Sequence, residues 1–240
     1  MSIPKIIHQI WIGETEITNS WLKDCDGVKN QHPDWEYKLW KNVDAEEILK
    51  NATQNIKSAY MRYWKEKHWS NASDILRYLV LYEHGGVYMD CDFIMNKHGS
   101  LNQLPLEKNL ILLNMRHSSK ETPKLRLQSC FMAAAPKNKF MQRVLDGIDN
   151  IDYTLTTSLG DPCDKYNTQY LTTEYNIHLG LKFFQKKGLH KITEDLSNII
   201  PPDEAIVPKN YFIGREAIIA QHLYKNTHKK KLISKFINCK

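Results

Sequence analysis

ASDILRYLVLYEHGGVYMDCD, residues 72–92, decides how the rest of the chain is read. Ile75, Leu76, Leu79 and Val80 recur at helical spacing, which predicts a helix with a buried stripe. Ser73 is a fair N-cap and Gly85 suits the position just past the last turn. A helix end followed by a tight turn accounts for Gly85-Gly86 without any ligand. Val87-Tyr88-Met89-Asp90 then reads as a strand. Asp74 and Arg77, three residues apart, are neighbours on one helix face. If the chain stays extended through Cys91, Asp90 and Asp92 point to one side and Cys91 to the other.

The chain contains its own control, because Asp24-Cys25-Asp26 repeats the same tripeptide. There Trp21, Leu22, Cys25 and Val28 predict a helix over Ser20 to Asn30. Positions two apart on a helix diverge by about 200°, so Asp24 and Asp26 cannot share an ion. The first DCD is a solvated helix face, whereas the second ends a strand.

Around this segment, Lys5 to Trp11 is a short β-branched strand ending before Gly13, and Glu36 to Trp40 a second. Asp44-Ala45-Glu46-Glu47 has the form of a capping box that opens a helix. Another helical stretch runs toward Trp69. Asn109 to Leu113 and Ser129 to Ala134 read as buried strands, Lys139 to Ile148 as a helix, and Ala205 to Val207 as a short strand. Residues 149–168 read as a polar loop and Tyr170 to Lys186 as a helix. The alternation predicts one α/β domain with a mostly parallel sheet flanked by helices on both faces. Neither an internal repeat nor a low-complexity linker divides residues 1–240.

The chain has 240 residues and a net charge of +6, much of it in Lys225, Lys229, Lys230, Lys231, Lys235 and Lys240. That excess suits an anionic ligand, an anionic membrane surface or nucleic acid without choosing among them. Five cysteines, an odd number without CxxC spacing, read as free thiols in a reducing compartment. The first residues lack the pattern of a signal peptide, and no apolar run approaches the roughly 20 residues of a membrane span. The expected location is cytoplasmic, with the inner face of a membrane as the alternative.

Two carboxylates at the end of a buried strand make a hard-oxygen site suited to Mg²⁺ or Mn²⁺. Asp74 and Arg77 offer an acceptor and a forked donor able to orient sugar hydroxyls; as a bare pair they equally describe a surface salt bridge. Trp11 is either core or a platform for a flat base. His8 reads as a packed strand histidine rather than a ligand. The glycine-rich phosphate loops of kinases and dinucleotide enzymes are absent. A DxD arises by chance about once in a chain this size, so it decides nothing alone.

The motifs together are more specific. Ile3-Pro4-Lys5-Ile6-Ile7-His8-Gln9-Ile10-Trp11-Ile12-Gly13, Ala72-Ser73-Asp74-Ile75-Leu76-Arg77-Tyr78 and Gly85-Gly86-Val87-Tyr88-Met89-Asp90-Cys91-Asp92 closely resemble the DXD-containing transferases of glycosyltransferase family 32. Large glucosylating toxins share that core. The resemblance implies a GT-A fold, with a nucleotide-sugar-binding half over 1–115, an acceptor-side half over 116–224 and a basic tail over 225–240. It implies a nucleotide-sugar donor held by Gln9, Ile10 and Trp11 near the base, and by Asp74, Arg77 and Tyr88 at the sugar. It implies Mn²⁺ or Mg²⁺ on Asp90, Asp92 and His222. Asp74, Arg77, Asp90 and Asp92 are the implied catalytic set, and the chemistry is retaining. Near the end the family commonly has a His followed by Ser-Trp. Here His222 is followed by Thr227-His228, so Thr227 keeps a hydroxyl while the Trp is missing.

The function expected is hexose transfer, with UDP the favoured nucleotide and GDP-mannose open, to a hydroxyl of a surface glycan or lipid-linked acceptor. Two rivals are a protein acceptor and a nucleic-acid binder using the basic tail. For the latter no reading motif is present, and no nucleic acid is expected. Leu232, Ile233, Phe236 and Ile237 among the tail lysines read either as a membrane-surface helix or as a helix packed on the domain.

Overall fold

The computed structural model describes residues 1–114, 127–149, 204–208 and 217–223. The stretch 150–168, the helix expected over Tyr170 to Lys186, Thr227 and the basic tail lie outside them. In chain order the elements are β1 (Ile6–Ile10), α1 (Asn19–Gln31), β2 (Glu36–Trp40), α2 (Ala45–Leu49), α3 (Gln54–Lys65), α4 (Trp69–His84), β3 (Gly86–Met89), β4 (Phe93–Met95), β5 (Leu110–Asn114), β6 (Leu127–Ala134), α5 (Lys139–Asp149), β7 (Glu204–Pro208) and β8 (Ala220–His222).

Six strands form one sheet in the order β2-β1-β3-β6-β5-β7, and β4 pairs with β8 in a second small sheet. The large sheet is mostly parallel: β1 runs parallel to β2 and β3, and β5 to β7. Only β6 runs antiparallel to both its neighbours, a direction that hydrophobic periodicity does not encode. Successive strand residues alternate between two cores, as the period of two requires. Tyr88, Leu110, Leu112, Met132 and Ala134 face α2 to α5. Val87, Met89, Ile111, Leu113, Phe131 and Ala133 face Val28 of α1, Phe93 and Ile219.

Helix α4 is the central element. Ten consecutive or near-consecutive residues from Asn71 to Leu81 are buried, so the expected stripe widens to nearly the whole circumference. It also begins four residues before Ser73. Ala72 N donates to His68 O, continuing the ladder upstream, and Ser73 Oγ bonds back to Ser70 O at 2.9 Å. A hydroxyl that satisfies a carbonyl three residues earlier is a helix-interior arrangement, not a cap. The capping box at Asp44 is likewise displaced. Asp44 Oδ2 accepts from Lys41 N at 2.6 Å and closes a 3-10 turn over Asn42–Asp44, ahead of α2.

At the α4–β3 junction Gly85 has φ +67°, and a Cβ there would lie 2.6 Å from Pro136 Cδ. The left-handed backbone and the crowding both demand glycine. The Gly85 carbonyl bonds to His8 Nε2 at 2.8 Å, while His8 Nδ1 accepts from Trp40 Nε1 at 3.1 Å. Since an indole N–H only donates, His8 must be the neutral tautomer with its proton on Nε2. Its place is that of the packed strand histidine expected.

Burial pushes the His8 pKa down, the Gly85 bond opposes it, and His84 and Lys38 add to the fall, leaving it at about 3. The unfolded chain therefore takes up a proton near pH 6.5 that the folded chain refuses until about pH 3. Stability from this group is complete above pH 6.5 and is lost progressively below it. Between pH 6.5 and 4.5 the native protein is expected to lose about 2 kcal/mol more than a His8→Gln variant does. Urea denaturation of both at the two pH values measures the difference; equal losses would remove His8 from the acid response.

Candidate active site

The strand order sets the location of the site. From β1 the chain winds to β2 on one side and then to β3 on the other, so its direction switches at β1. In open α/β sheets, ligands occupy the crevice at the carboxyl ends beside such a switch. Trp11 follows β1 there, and Asp90 follows β3. The first half of α4, carrying Asp74 and Arg77, packs over the same strands.

Arg77 is the hub. One guanidinium nitrogen donates to Ser129 O at 2.8 Å, and the other lies 2.9 Å from Asp74 Oδ1 and 3.6 Å from Asp90 Oδ1. Its Cζ stands 4.6 Å from the centre of the Tyr88 ring, and Tyr88 OH donates to Asp90 Oδ1 at 2.7 Å. The side chains of Asp74 and Arg77 are only 4% and 7% exposed, which removes the surface-salt-bridge reading of that pair. Burial works against the Arg77 charge, but Tyr88, Asp74 and Asp90 outweigh it and raise its pKa above the ordinary arginine value. The guanidinium thus ties the α4 carboxylate to the first DXD carboxylate in a water-poor setting, where charge interactions are strong.

The DXD segment differs from the extended strand expected. β3 ends at Met89, and Cys91 and Asp92 form a turn before β4. The main chain is pinned on every side. Asp90 N donates to Cys130 O at 2.9 Å, Asp90 O accepts from Gln9 Nε2 at 3.1 Å, and Asp92 O accepts from Leu223 N at 2.9 Å. The Cys91 thiol donates to Ile10 O at 3.5 Å. Its hydrogen bond with Cys25, and then burial, push the Cys91 pKa up, so it remains a thiol. Asp90 keeps 30% of its side chain exposed, while Asp92 is buried.

The first DCD lies beneath the second. Cys25 Sγ is 3.9 Å from Cys91 O, while Asp26 faces solvent. The solvated-helix reading of that tripeptide therefore fits Asp26, while Asp24 is half-buried and the cysteine packs inward under the turn.

The remaining candidates divide. Trp11 is half-buried, packs on Trp21 with ring centres 5.0 Å apart, and donates from Nε1 to Thr15 O. Tyr88 lies in the hub. Gln9 is fully buried, and its amide is spent on Asp90 O and on Tyr37 OH, so its side chain does not face the crevice. Ile10 contributes its carbonyl to Cys91. His222 is brought in through its main chain: it pairs with Phe93, one residue beyond Asp92. The segment before it is seated on the β4 turn, where Asn96 Nδ2 donates to Ala217 O and a Cβ at Gly99 would run into Ile219 O. Tyr37 is the residue that pattern reading missed; its only signal is an aromatic between Glu36 and Lys38 on a short strand.

Two carboxylates on one turn form an oxygen donor pair that fits a hard divalent cation. Among the described residues no three His, Cys, Asp or Glu side chains converge as a full cage. A pair of carboxylates suits an ion that keeps water and phosphate in its shell, as Mg²⁺ does. Among the same residues no helix is long and apolar enough to cross a membrane.

The class of protein follows from comparison. Residues 18–111 match the family described as glycosyltransferase sugar-binding region containing DXD motif. The fold is of the GT-A type. It resembles the UDP-bound glycosyltransferase domain of the YGT toxin, with TM-score 0.59 and 10% identity over 95% of this chain and 82% of that one. It also resembles the PaToxG glycosyltransferase, with TM-score 0.57 and 21% identity over 78% of this chain and 73% of that one.

Two yeasts supply similar curated proteins. Inositol phosphoceramide mannosyltransferase 1 of Schizosaccharomyces pombe is 27% identical over 173 residues, 71% of this chain and 48% of that protein. Mannosyl phosphorylinositol ceramide synthase SUR1 of Saccharomyces cerevisiae is 28% identical over 150 residues, 62% of this chain and 36% of that protein. The matches thus take in less than half the length of either relative.

Proposed function

We propose that this protein is a metal-dependent, retaining glycosyltransferase that moves a hexose from a nucleotide diphosphate sugar to a hydroxyl of a glycan or lipid-linked acceptor. The observation that carries the reading is the buried Asp74–Arg77–Asp90 cluster at the carboxyl end of β3, beside the switch point. The yeast relatives, named for mannosyl transfer to an inositol phospholipid, favour mannose as the sugar and a lipid-linked polyol as the acceptor. The UDP expected by family habit and the GDP expected with mannose are then distinct outcomes of one assay.

In this reading the nucleotide base lies against Trp11, and Asp74 accepts hydrogen bonds from the sugar hydroxyls. Arg77 holds Asp74 aimed through their 2.9 Å contact. Tyr88 closes the sugar's other side and holds Asp90. Asp90 and Asp92, with His222 beside them, would hold Mn²⁺ or Mg²⁺, which screens the negative charge gathering on the departing diphosphate. The bond from C1 to the diphosphate breaks, and the acceptor oxygen bonds to C1 on the same face. The acceptor proton passes to the departing phosphate oxygen.

A panel of UDP- and GDP-sugars incubated without acceptor, with Mn²⁺ or with EDTA, tests this directly. Slow hydrolysis of one donor that stops with EDTA is the expected result. Absence of both hydrolysis and metal-dependent nucleotide binding would overturn the reading.

A further inference from the structure

The main chain of a metal-binding turn must be held still for its carboxylates to be useful, and here the holding group can be traced through two side chains. Tyr37 OH on β2 donates to Gln9 Oε1 on β1 at 2.7 Å. That bond fixes which end of the Gln9 amide faces which way, because the oxygen is engaged and the NH₂ must point elsewhere. The NH₂ points at Asp90 O, 3.1 Å away. Gln9 is fully buried, so both ends of its amide depend on these two protein partners. Desolvation, with Cys25 and Cys91 nearby, pushes the Tyr37 pKa far up, so its hydroxyl keeps the proton it donates. The relay spans three strands and reaches a turn whose other fixings are the Cys130 carbonyl, the Leu223 amide, the Cys91 thiol and the Cys25 thiol on Cys91 O.

We infer that Tyr37 and Gln9 are positioning residues that set the Asp90–Asp92 turn for divalent cation and diphosphate, with Tyr37 acting on Asp90 through the Gln9 amide. The inference rests on the proposed function for its cation half. Hydrogen-bond partners behind metal ligands typically change metal affinity by about 10–100-fold when removed. Without the Tyr37 hydroxyl the Gln9 amide is free to rotate, and its oxygen then opposes Asp90 O. Without the Gln9 amide, Tyr37 has no path to Asp90 O.

The test uses the full chain and three variants: Tyr37→Phe, Gln9→Leu and the double substitution. Hydrogen exchange read on peptides over residues 86–95, with no ligand present, reports the turn itself. Peptides over α4 serve as the control for folding. Mn²⁺ titration with UDP or GDP reports the cation site.

The expected result is faster exchange over 86–95 with α4 unchanged. Mn²⁺ affinity should fall about tenfold in each single variant, and the double variant should be no worse than Gln9→Leu. Unchanged exchange over 86–95, or losses that add in the double variant, would overturn the relay. Faster exchange with wild-type Mn²⁺ affinity would overturn its link to the cation. A wild-type chain that binds no Mn²⁺ would overturn the proposed function and the cation half together, while the exchange data would still decide the relay.

Discussion

Asp90→Asn and Asp92→Asn should each lower sugar transfer at saturating donor by about 10²–10³-fold, the equivalent of several kcal/mol of lost charge stabilisation. Asparagine keeps the size of the side chain and one acceptor oxygen but removes the anionic charge that a hard cation needs. The folded state should change little for Asp90, whose side chain is 30% exposed and whose contact with Arg77 is a 3.6 Å ion pair. Its hydrogen bond from Tyr88 OH survives through the remaining carbonyl oxygen. Asp92 is buried, and its carbonyl, not its carboxylate, receives Leu223 N, so β8 should stay docked. Steady-state rates over a Mn²⁺ titration, together with a thermal melt, separate lost chemistry from lost fold. Transfer at the native rate in both variants would refute the metal role of the turn.

Replacing Arg77 with methionine should be the most damaging single change to stability. Asp74 would be left in a site where its side chain is 4% exposed, without the cation 2.9 Å away. Breaking a buried pair on one side typically costs about 3–5 kcal/mol, or roughly 6–20 °C in melting temperature for a domain of this size. The Ser129 carbonyl would lose its donor as well. Adding Asp74→Leu to the methionine variant removes the stranded charge and should recover much of the stability, since apolar replacement of a buried pair is often neutral. It should not recover sugar transfer. Melting temperatures and transfer rates of the single and double variants measure both halves, and a single variant as stable as the native protein would contradict the hub.

The legibility of this fold in the sequence follows contact range. The α4 stripe, β2, and the strand leading into the second DCD were readable because periodicity and turn residues act over a few positions. The Asp74–Arg77 pair was readable because its members are one helical turn apart. The contacts that organise the site are not local: Gln9 meets Asp90 across 81 positions and Tyr37 across 28. An amide in a β-branched strand looks the same whether it faces a ligand or a buried carbonyl. The turn at Cys91 was hidden for a related reason, because it depends on Ile10 and Leu223 as partners. Ser73 was misread as a cap because its local pattern is the same at a helix start and in a helix interior. Single residues do not report what lies upstream.

The pairing of Phe93 with His222 also orders events in time. A chain emerging from the ribosome presents β1, β2, α4 and β3 early. The strand that brings His222 beside the DXD turn arrives 129 positions later, as counted from Phe93 to His222. At cellular elongation rates that interval is roughly 6–25 s. For that period the nascent protein can form the hub and the turn but lacks the strand that pairs with Phe93–Met95. Docking of β8 against the DXD turn is thus a late step of synthesis, taken after the elements that carry the hub have already been made.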